Sequence, residues 1–89
     1  MKVLLAEDDA KLGKLIKYML EKNDISVEWV TRGDEIYEYA TYDDYDVLIL
    51  DWMMPGESGV DACRRLREGG YEKAILMLTA RDKIGRAHV

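Results

Sequence analysis

The chain is poor in the residues that mark secreted, membrane-spanning or nucleic-acid-binding proteins. It has one cysteine, Cys63, in 89 residues, which excludes an internal disulfide framework and suits a reducing compartment. No apolar run approaches the ~18 residues that cross a bilayer, and the short N-terminal run meets acidic residues too soon for a secretory signal. The net charge of −5 disfavours non-specific binding to nucleic acids or anionic membranes. We therefore expect a soluble cytoplasmic protein with no nucleic-acid or membrane partner for this segment.

Short apolar runs alternate with helix-like spacings of apolar residues along the chain. The runs predict four strands, at residues 2–6, 25–30, 46–50 and 74–78. The spacings predict three helices. The first is capped by Asp8 or Asp9 and ends at Asn23 in a left-handed conformation, and the second runs from Gly33 to about Thr41. The third has Val60, Cys63 and Leu66 on its inward face and ends at Gly69 and Gly70. This order, with short connections, predicts a parallel sheet with helices on both faces, and the alternating pattern of the second strand places it at an edge.

The third strand leads into the stretch around which the chain is organised. Residues 47–50 form an unbroken apolar run, typical of a strand buried on both faces, and they end at Asp51. Pro55, Gly56 and Gly59 then shape a stiff, tightly turned loop into the next helix. In open α/β sheets, ligands bind beyond the carboxyl ends of the strands, so Asp51 is a candidate site residue. Considered alone, Asp51 fits an ordinary strand-ending acid equally well.

Acidic residues at another strand end favour the interpretation of Asp51 as a site residue. Glu7 and Asp8 follow the first strand, and Thr79 follows the fourth. These ends share one rim of a parallel sheet, so three carboxylates would occupy a small volume, where their mutual repulsion favours a bound cation. Oxygen ligands of this kind suit Mg²⁺, with Asp51 as a nucleophile that forms an aspartyl-phosphate and the Thr79 hydroxyl as a donor to a phosphoryl oxygen. The sequence therefore predicts a magnesium-dependent phosphoryl site.

Three segments, LLAEDDAKLGKLI, YDVLILDWMMPGESGVDACRRLR and AILMLTAR, carry a resemblance to a known family. Over residues 2–83 the chain resembles the receiver domain of bacterial two-component response regulators, and within that family its winged-helix transcription-regulator branch. The resemblance implies a flavodoxin-like, doubly wound parallel sheet whose strands follow the order 2-1-3-4-5. It also implies a cytoplasmic phosphoprotein of a phosphorelay that is phosphorylated by a sensor histidine kinase and is not itself an enzyme.

The same resemblance implies a role for each candidate site residue. Asp51 would be the phosphoacceptor and would ligate Mg²⁺ together with Glu7, Asp8 and the backbone carbonyl of Met53. Thr79 would be the switch hydroxyl that moves toward the phosphoryl group. DNA binding is expected only through an output domain that this chain does not contain.

The chain departs from the family pattern after its fourth strand. A complete receiver has five βα units, so the sequence predicts a partial receiver domain, residues 1–83, without the last strand, helix and phosphoryl-contacting lysine. Lys83 is too close to Thr79 to be that lysine. Residues 84–89 fit no continuation of the pattern and match the in-frame translation of a common sequencing adapter, so we expect a non-native tail. The fourth strand would then be an exposed edge through which the chain self-associates.

Two alternative functions remain open from the residues themselves. A haloacid-dehalogenase-like phosphotransferase also uses an aspartate at a strand end, but the position of its second acid, two residues on, is here Met53. A structural α/β fragment without function is the other alternative. A nucleotide-binding module is disfavoured because neither G-x-G-x-x-G nor G-x-x-x-x-G-K-[ST] follows the first strand.

Overall fold

A computed structural model describes residues 1–78, and its elements follow the predicted order. The strands are β1 Lys2–Ala6, β2 Ser26–Val30, β3 Val47–Asp51 and β4 Ala74–Leu78. The helices are α1 Ala10–Lys22, α2 Asp34–Tyr42 and α3 Gly59–Glu68. Across this part of the chain, no helix has both the length and the apolar character needed to cross a membrane.

The four strands form one parallel sheet in the order β2-β1-β3-β4. The two central strands, β1 and β3, pair Ala6 with Leu50, so they end side by side. The prediction of a doubly wound parallel sheet with four strands is confirmed, including the placement of β2 at an edge. Among residues 1–78, β4 forms the other edge.

Helices α2 and α3 pack against each other and cover one face of the sheet. The core on this side takes alternate residues of the two central strands, as the two-residue period of a strand requires. Its fully buried members include Leu4, Leu48 and Leu50 from the strands and Ile36 and Leu66 from the helices. β1 is buried on both faces, in keeping with its continuous apolar run. The predicted burial of β3 on both faces is met on one face only, because Val47 and Ile49 are half-buried where α1 covers mainly β2 and β1.

Helix α1 covers the opposite face of the sheet, next to β2 and β1. Its one buried residue is Gly13, which lies against the indole ring of Trp29. Leu15 and Met19, on the same helix, each remain more than half exposed. The apolar spacing of α1 therefore predicts the helix correctly, but the structure buries less of its apolar face than the pattern suggests.

The end of α1 differs from the prediction at Asn23. Asn23 has φ −100° and is not left-handed, whereas Asp24, one residue later, has φ 64°. Asn23 instead provides hydrogen bonds to carbonyl groups of the last helical turn. Its side-chain amide donates to the carbonyl of Met19, and its backbone N–H donates to the carbonyl of Leu20. The left-handed residue therefore comes one position later than predicted, after Asn23 has made these bonds to the last turn.

The inward face of α3 also differs from the prediction. The buried residues of this helix are Gly59, Ala62 and Leu66, whereas Val60 and Cys63 are only half-buried. Small residues are needed at the start of α3, because the helix begins close to the backbone of Asp51. The predicted inward residue Leu66 is buried and Cys63 packs against the core, but the spacing of large apolar residues missed Gly59 and Ala62, because small residues give no such signal.

Candidate functional site

Glu7 follows β1 directly and is almost fully buried, with 1% of its surface exposed. Its backbone N–H donates to the carbonyl of Val30 over 3.1 Å, which extends the pairing of β1 with β2 by one residue. Its carboxylate oxygen Oε2 accepts a hydrogen bond from the N–H of Asp9 over 2.9 Å. The carboxylate is therefore held at the rim of the sheet and largely removed from water.

Asp9 caps helix α1, which resolves the choice between Asp8 and Asp9 as the capping residue. Its Oδ1 accepts from the N–H of Lys11 over 2.9 Å and from that of Leu12 over 3.1 Å. A side-chain oxygen at this position satisfies amide groups that the first helical turn leaves without partners. Asp8 stays exposed at the rim of the sheet.

Asp51 is the last residue of β3 and is half-buried. One carboxylate oxygen from each of Glu7, Asp8 and Asp51 lies within 4.8 Å of the other two. These are the three acids that the sequence places at one rim, and the structure brings them together. The pairing of β1 with β3 produces this cluster, because both strands end at the same level.

The cluster is electrostatically strained when it holds no cation. The pKa of Glu7 is raised to about 7, mainly by burial and also by the nearby Asp51 and Asp8 carboxylates, against the opposing hydrogen bond from the Asp9 N–H. Burial likewise raises the pKa of Asp51, with a further contribution from the charge of Asp8. A cation would relieve both effects, and carboxylate oxygens at this separation suit a hard divalent ion. The residues present therefore fit a metal site.

The loop after β3 depends on two glycines, one at a close backbone contact and one with a positive φ. A Cβ atom at Gly59 would lie 1.9 Å from the carbonyl oxygen of Asp51, so only glycine lets α3 start this close to the site. Gly56 has φ 81°, a conformation that glycine adopts without strain. The carbonyl of Pro55 accepts from the N–H of Gly33 over 2.9 Å, which ties the loop to the start of α2.

Sequence reasoning missed the contribution of Gly33 to this loop. A Cβ atom there would lie 1.4 Å from the carbonyl oxygen of Glu57, so the residue allows the β3–α3 loop to pack against the turn before α2. The signal in the sequence was a glycine at the position before Asp34, where α2 starts without a side-chain cap. Such a glycine fits an ordinary turn equally well, so the pattern alone did not identify the contact.

Of the other two predicted site residues, the structure describes Met53 but not Thr79. The Met53 side chain is exposed, and its backbone hydrogen bond to the Asp51 carboxylate lowers the pKa of that group, against the effect of burial. The proposed role of the Met53 carbonyl as a ligand stays a prediction. Thr79 lies outside the described residues. The residue before it, Leu78, pairs with Asp51 and accepts a hydrogen bond from the N–H of Trp52 over 3.2 Å.

Comparison with known proteins identifies the family. The sequence profile described as "Response regulator receiver domain" matches residues 3–88. The chain belongs to this family. This match favours a receiver domain over the haloacid-dehalogenase alternative. The prediction of a two-component response-regulator domain is confirmed.

Relatives of this receiver domain include transcriptional regulators. The chain is 44% identical over 84 residues to the response regulator protein PmrA of Pseudomonas aeruginosa, covering 94% of this chain and 38% of PmrA. It is 43% identical over 84 residues to the phosphate regulon transcriptional regulatory protein PhoB of Rhizobium meliloti, covering 92% of this chain and 37% of PhoB. These matches confirm the transcription-regulator branch, and the chain spans well under half the length of these relatives.

Solved receiver domains share the fold of this one. The receiver domain of the Francisella response regulator 1452 superposes with a TM-score of 0.87 at 33% identity, covering 96% of this chain and 70% of that one. The BeF3-activated N-terminal receiver domain of RstA from Klebsiella pneumoniae superposes with a TM-score of 0.84 at 38% identity, covering 89% of this chain and 67% of that one. The predicted flavodoxin-like receiver fold is therefore confirmed.

Proposed function

We propose that this receiver domain accepts a phosphoryl group on Asp51 in a reaction that requires Mg²⁺. The observation that carries the proposal is the gathering of the Glu7, Asp8 and Asp51 carboxylate oxygens within 4.8 Å at the carboxyl ends of adjacent strands. An isolated acid at a strand end has many uses, but three carboxylates held together need a neutralising partner. Family membership makes phosphoryl transfer the chemistry that this cluster fits best.

Glu7, Asp8 and Asp51, with the carbonyl of Met53, would hold the Mg²⁺ ion. When bound, Mg²⁺ would neutralise charge that develops on the phosphoryl oxygens. In transfer from a phosphohistidine, an ionised Asp51 oxygen attacks phosphorus, so the new O–P bond forms as the bond from phosphorus to the imidazole nitrogen of the donor breaks. The electron pair of that bond returns to the donor imidazole, which takes up a proton. The Thr79 hydroxyl would donate a hydrogen bond to the transferred group.

The donor that we propose is a phosphohistidine on a sensor histidine kinase. The receiver is then the phosphorylated partner of a cytoplasmic phosphorelay and is not itself an enzyme. Its relatives named as transcriptional regulators support an output in transcription through a domain outside this chain. No nucleic-acid contact is proposed for this acidic segment, whose net charge is −5. A second copy of the chain is a further proposed partner, through the edge of β4.

Uptake of a phosphoryl group from acetyl phosphate tests this function. The wild-type chain should gain the mass of one phosphoryl group in Mg²⁺ and none in excess chelator, and Asp51→Asn should abolish the gain. Asp61→Asn is a matched control, because Asp61 is an exposed aspartate on α3 whose carboxylate pairs with Arg64. Equal modification of Asp51→Asn and the wild type would refute the assignment, and no binding of Mg²⁺ or beryllofluoride at all would favour a structural fragment.

A further inference from the structure

Gly13 and Trp29 form a complementary pair of residues that is hydrogen-bonded to the backbone of Glu7. Gly13 is the one buried residue of α1, and the indole of Trp29 occupies the space that a side chain there would need. A Cβ atom at Gly13 would lie 2.2 Å from Cζ2 and 2.4 Å from Cε2 of that ring. The glycine therefore leaves the space that the half-buried indole occupies against α1.

The same indole ring is bonded to the backbone of the site. Its Nε1–H donates to the carbonyl oxygen of Glu7 over 2.9 Å. The N–H of Glu7 donates to the carbonyl of Val30 over 3.1 Å. Two consecutive residues of β2 therefore hold both backbone polar groups of Glu7, one through its side chain and one through its main chain.

The loop beyond Glu7 is fixed at its other end by helix α1. The Glu7 carboxylate accepts from the Asp9 N–H, and the Asp9 carboxylate caps α1 at Lys11 and Leu12. Asp8 lies between these two anchored residues and carries the third carboxylate of the cluster. Its position relative to Asp51 therefore depends on where the Glu7 carbonyl is held.

We propose that Trp29 is a positioning residue for the metal site: its ring, seated on Gly13, fixes the Glu7 carbonyl and thereby aims the Glu7 and Asp8 carboxylates at Asp51. The proposal rests on the proposed function, because it concerns the same cation. Trp29 acts through the Glu7 backbone and does not contact the cation. Partners that orient metal ligands typically change metal affinity ~10–100-fold when they are removed. We expect the low end of that range here, ~10-fold, since only one of several anchors is lost.

Three variants separate the hydrogen bond from the packing. Trp29→Phe removes the indole N–H and part of the ring. Gly13→Ala inserts a methyl group that displaces the ring. In the double variant the smaller ring leaves room for that methyl group. Mg²⁺ affinity is measured for each by following the backbone amide signals of Asp9 and Trp52 in NMR titrations, and thermal unfolding is recorded in parallel.

The positioning role predicts a specific pattern of Mg²⁺ affinities. Each single variant should bind Mg²⁺ ~10-fold more weakly, and the double variant should be no weaker than Trp29→Phe alone, because the methyl group acts only by moving the indole. Gly13→Ala should also raise the unfolding temperature in the Trp29→Phe background, where alanine improves the helix without a clash. A merely structural residue would lower the unfolding temperature but leave the affinity of the folded protein unchanged.

An indole isostere decides the question if Trp29→Phe does not fold. Replacing Trp29 by benzothienylalanine, which keeps the ring shape and lacks the N–H, should give the same ~10-fold loss. Wild-type affinity in this variant, or in a folded Trp29→Phe chain, would overturn the inference while leaving the proposed function intact. A wild-type chain that does not respond to Mg²⁺ would instead refute the proposed function.

Discussion

At the residue scale, three consecutive acids after β1 have three different environments. Glu7 is buried, Asp8 is exposed at the rim, and Asp9 caps a helix. Their chemistry differs accordingly, because burial penalises an ionised carboxylate, whereas hydrogen bonds from backbone amides stabilise it. Two testable consequences concern Glu7 and Asp8.

Without Mg²⁺, the stability of the chain should fall as pH rises from about 4.5 to about 7. The pKa of Glu7 is raised to about 7 in the folded chain from its ordinary value of 4.5, so the folded state binds more protons than the unfolded state in this window. The contribution of Glu7 to the free energy of unfolding is therefore fully present below pH 4.5 and is lost as the pH rises through about 7. Between these two pH values, the free energy of unfolding should fall by at most ~1.4 kcal/mol for each pH unit.

Chemical denaturation across this pH range, with chelator present, measures the effect. Glu7→Gln should flatten the curve and should be more stable than the wild type at pH 8, because the amide carries no charge to bury. Glu68→Gln, at an exposed position on α3, is the control and should keep the wild-type slope. A Glu7→Gln curve parallel to that of the wild type would contradict the prediction.

Asp8→Asn should greatly weaken Mg²⁺ binding, whereas Asp9→Asn should not. Asp8 supplies one of the three clustered oxygens, and its exposed position makes the substitution harmless to folding. Asparagine caps helices about as well as aspartate, so the neighbouring variant should keep both α1 and the site. Quenching of tryptophan fluorescence by Mg²⁺, with Trp52 next to the acceptor, provides the measurement. Equal quenching in the wild type and in Asp8→Asn would show that Asp8 is not a ligand.

At the element scale, the site depends on how closely α3 approaches the end of β3. The N–H of Gly59 donates to the carbonyl of Trp52 over 2.9 Å, and its missing side chain leaves room for the Asp51 carbonyl. The helix can therefore start within one short loop of the strand. Ser58 caps it by accepting from the N–H of Asp61 over 3.0 Å.

Gly59→Ala should destabilise the chain by about 1–3 kcal/mol and weaken metal binding. The added methyl group would meet backbone, which yields less easily than a side chain, so the strand end that carries Asp51 must shift. Gly69→Ala is the matched control, because a Cβ atom there would lie 3.5 Å from its nearest neighbour, in ordinary contact. Thermal unfolding and Mg²⁺ titration of both variants test the prediction, which fails if the two alanines behave alike.

At the scale of the whole molecule, the two faces of the sheet are covered unequally within residues 1–78. Helices α2 and α3 cover one face, whereas α1 lies over β1 and β2 on the other. Leu76 in β4 is consequently 55% exposed, and Leu15 on α1 is 53% exposed. The run from Ala74 to Leu78 contains no charged residue, so this edge lacks the features that usually prevent strands of different chains from pairing.

The chain should therefore self-associate through β4, in a manner that depends on concentration. Leu76→Lys should shift the equilibrium toward the monomer, because a charge on an edge strand opposes pairing with a second copy. Leu15→Lys, a similarly exposed position on a helix, distinguishes strand pairing from general apolar contact. Sedimentation velocity at several concentrations measures both. A monomeric wild type, or equal effects of the two lysines, would refute pairing through β4.

The order of the elements and the identity of the clustered acids follow from the amino-acid sequence alone. Apolar runs and helical spacings are local signals, and the carboxyl ends of parallel strands necessarily meet at one rim, so the pattern of residues is enough to group Glu7, Asp8 and Asp51. The strand order and the roles at the site came from the family resemblance. The prediction about residues 84–89 and the role of Thr79 concern positions outside the described residues.

Only the tertiary structure determines which residues are buried and which side chains touch when the elements that carry them are far apart in the sequence. The burial of Glu7 and the inward face of α3 each follow from how closely neighbouring elements pack. The contact between Gly13 and Trp29 is the clearest case, because a glycine inside a helical pattern predicts only a weaker helix. The structural role of Gly13 depends on the indole of Trp29, which is sixteen residues away in the sequence. Local propensity contains no information about which side chain will occupy the space that a glycine leaves.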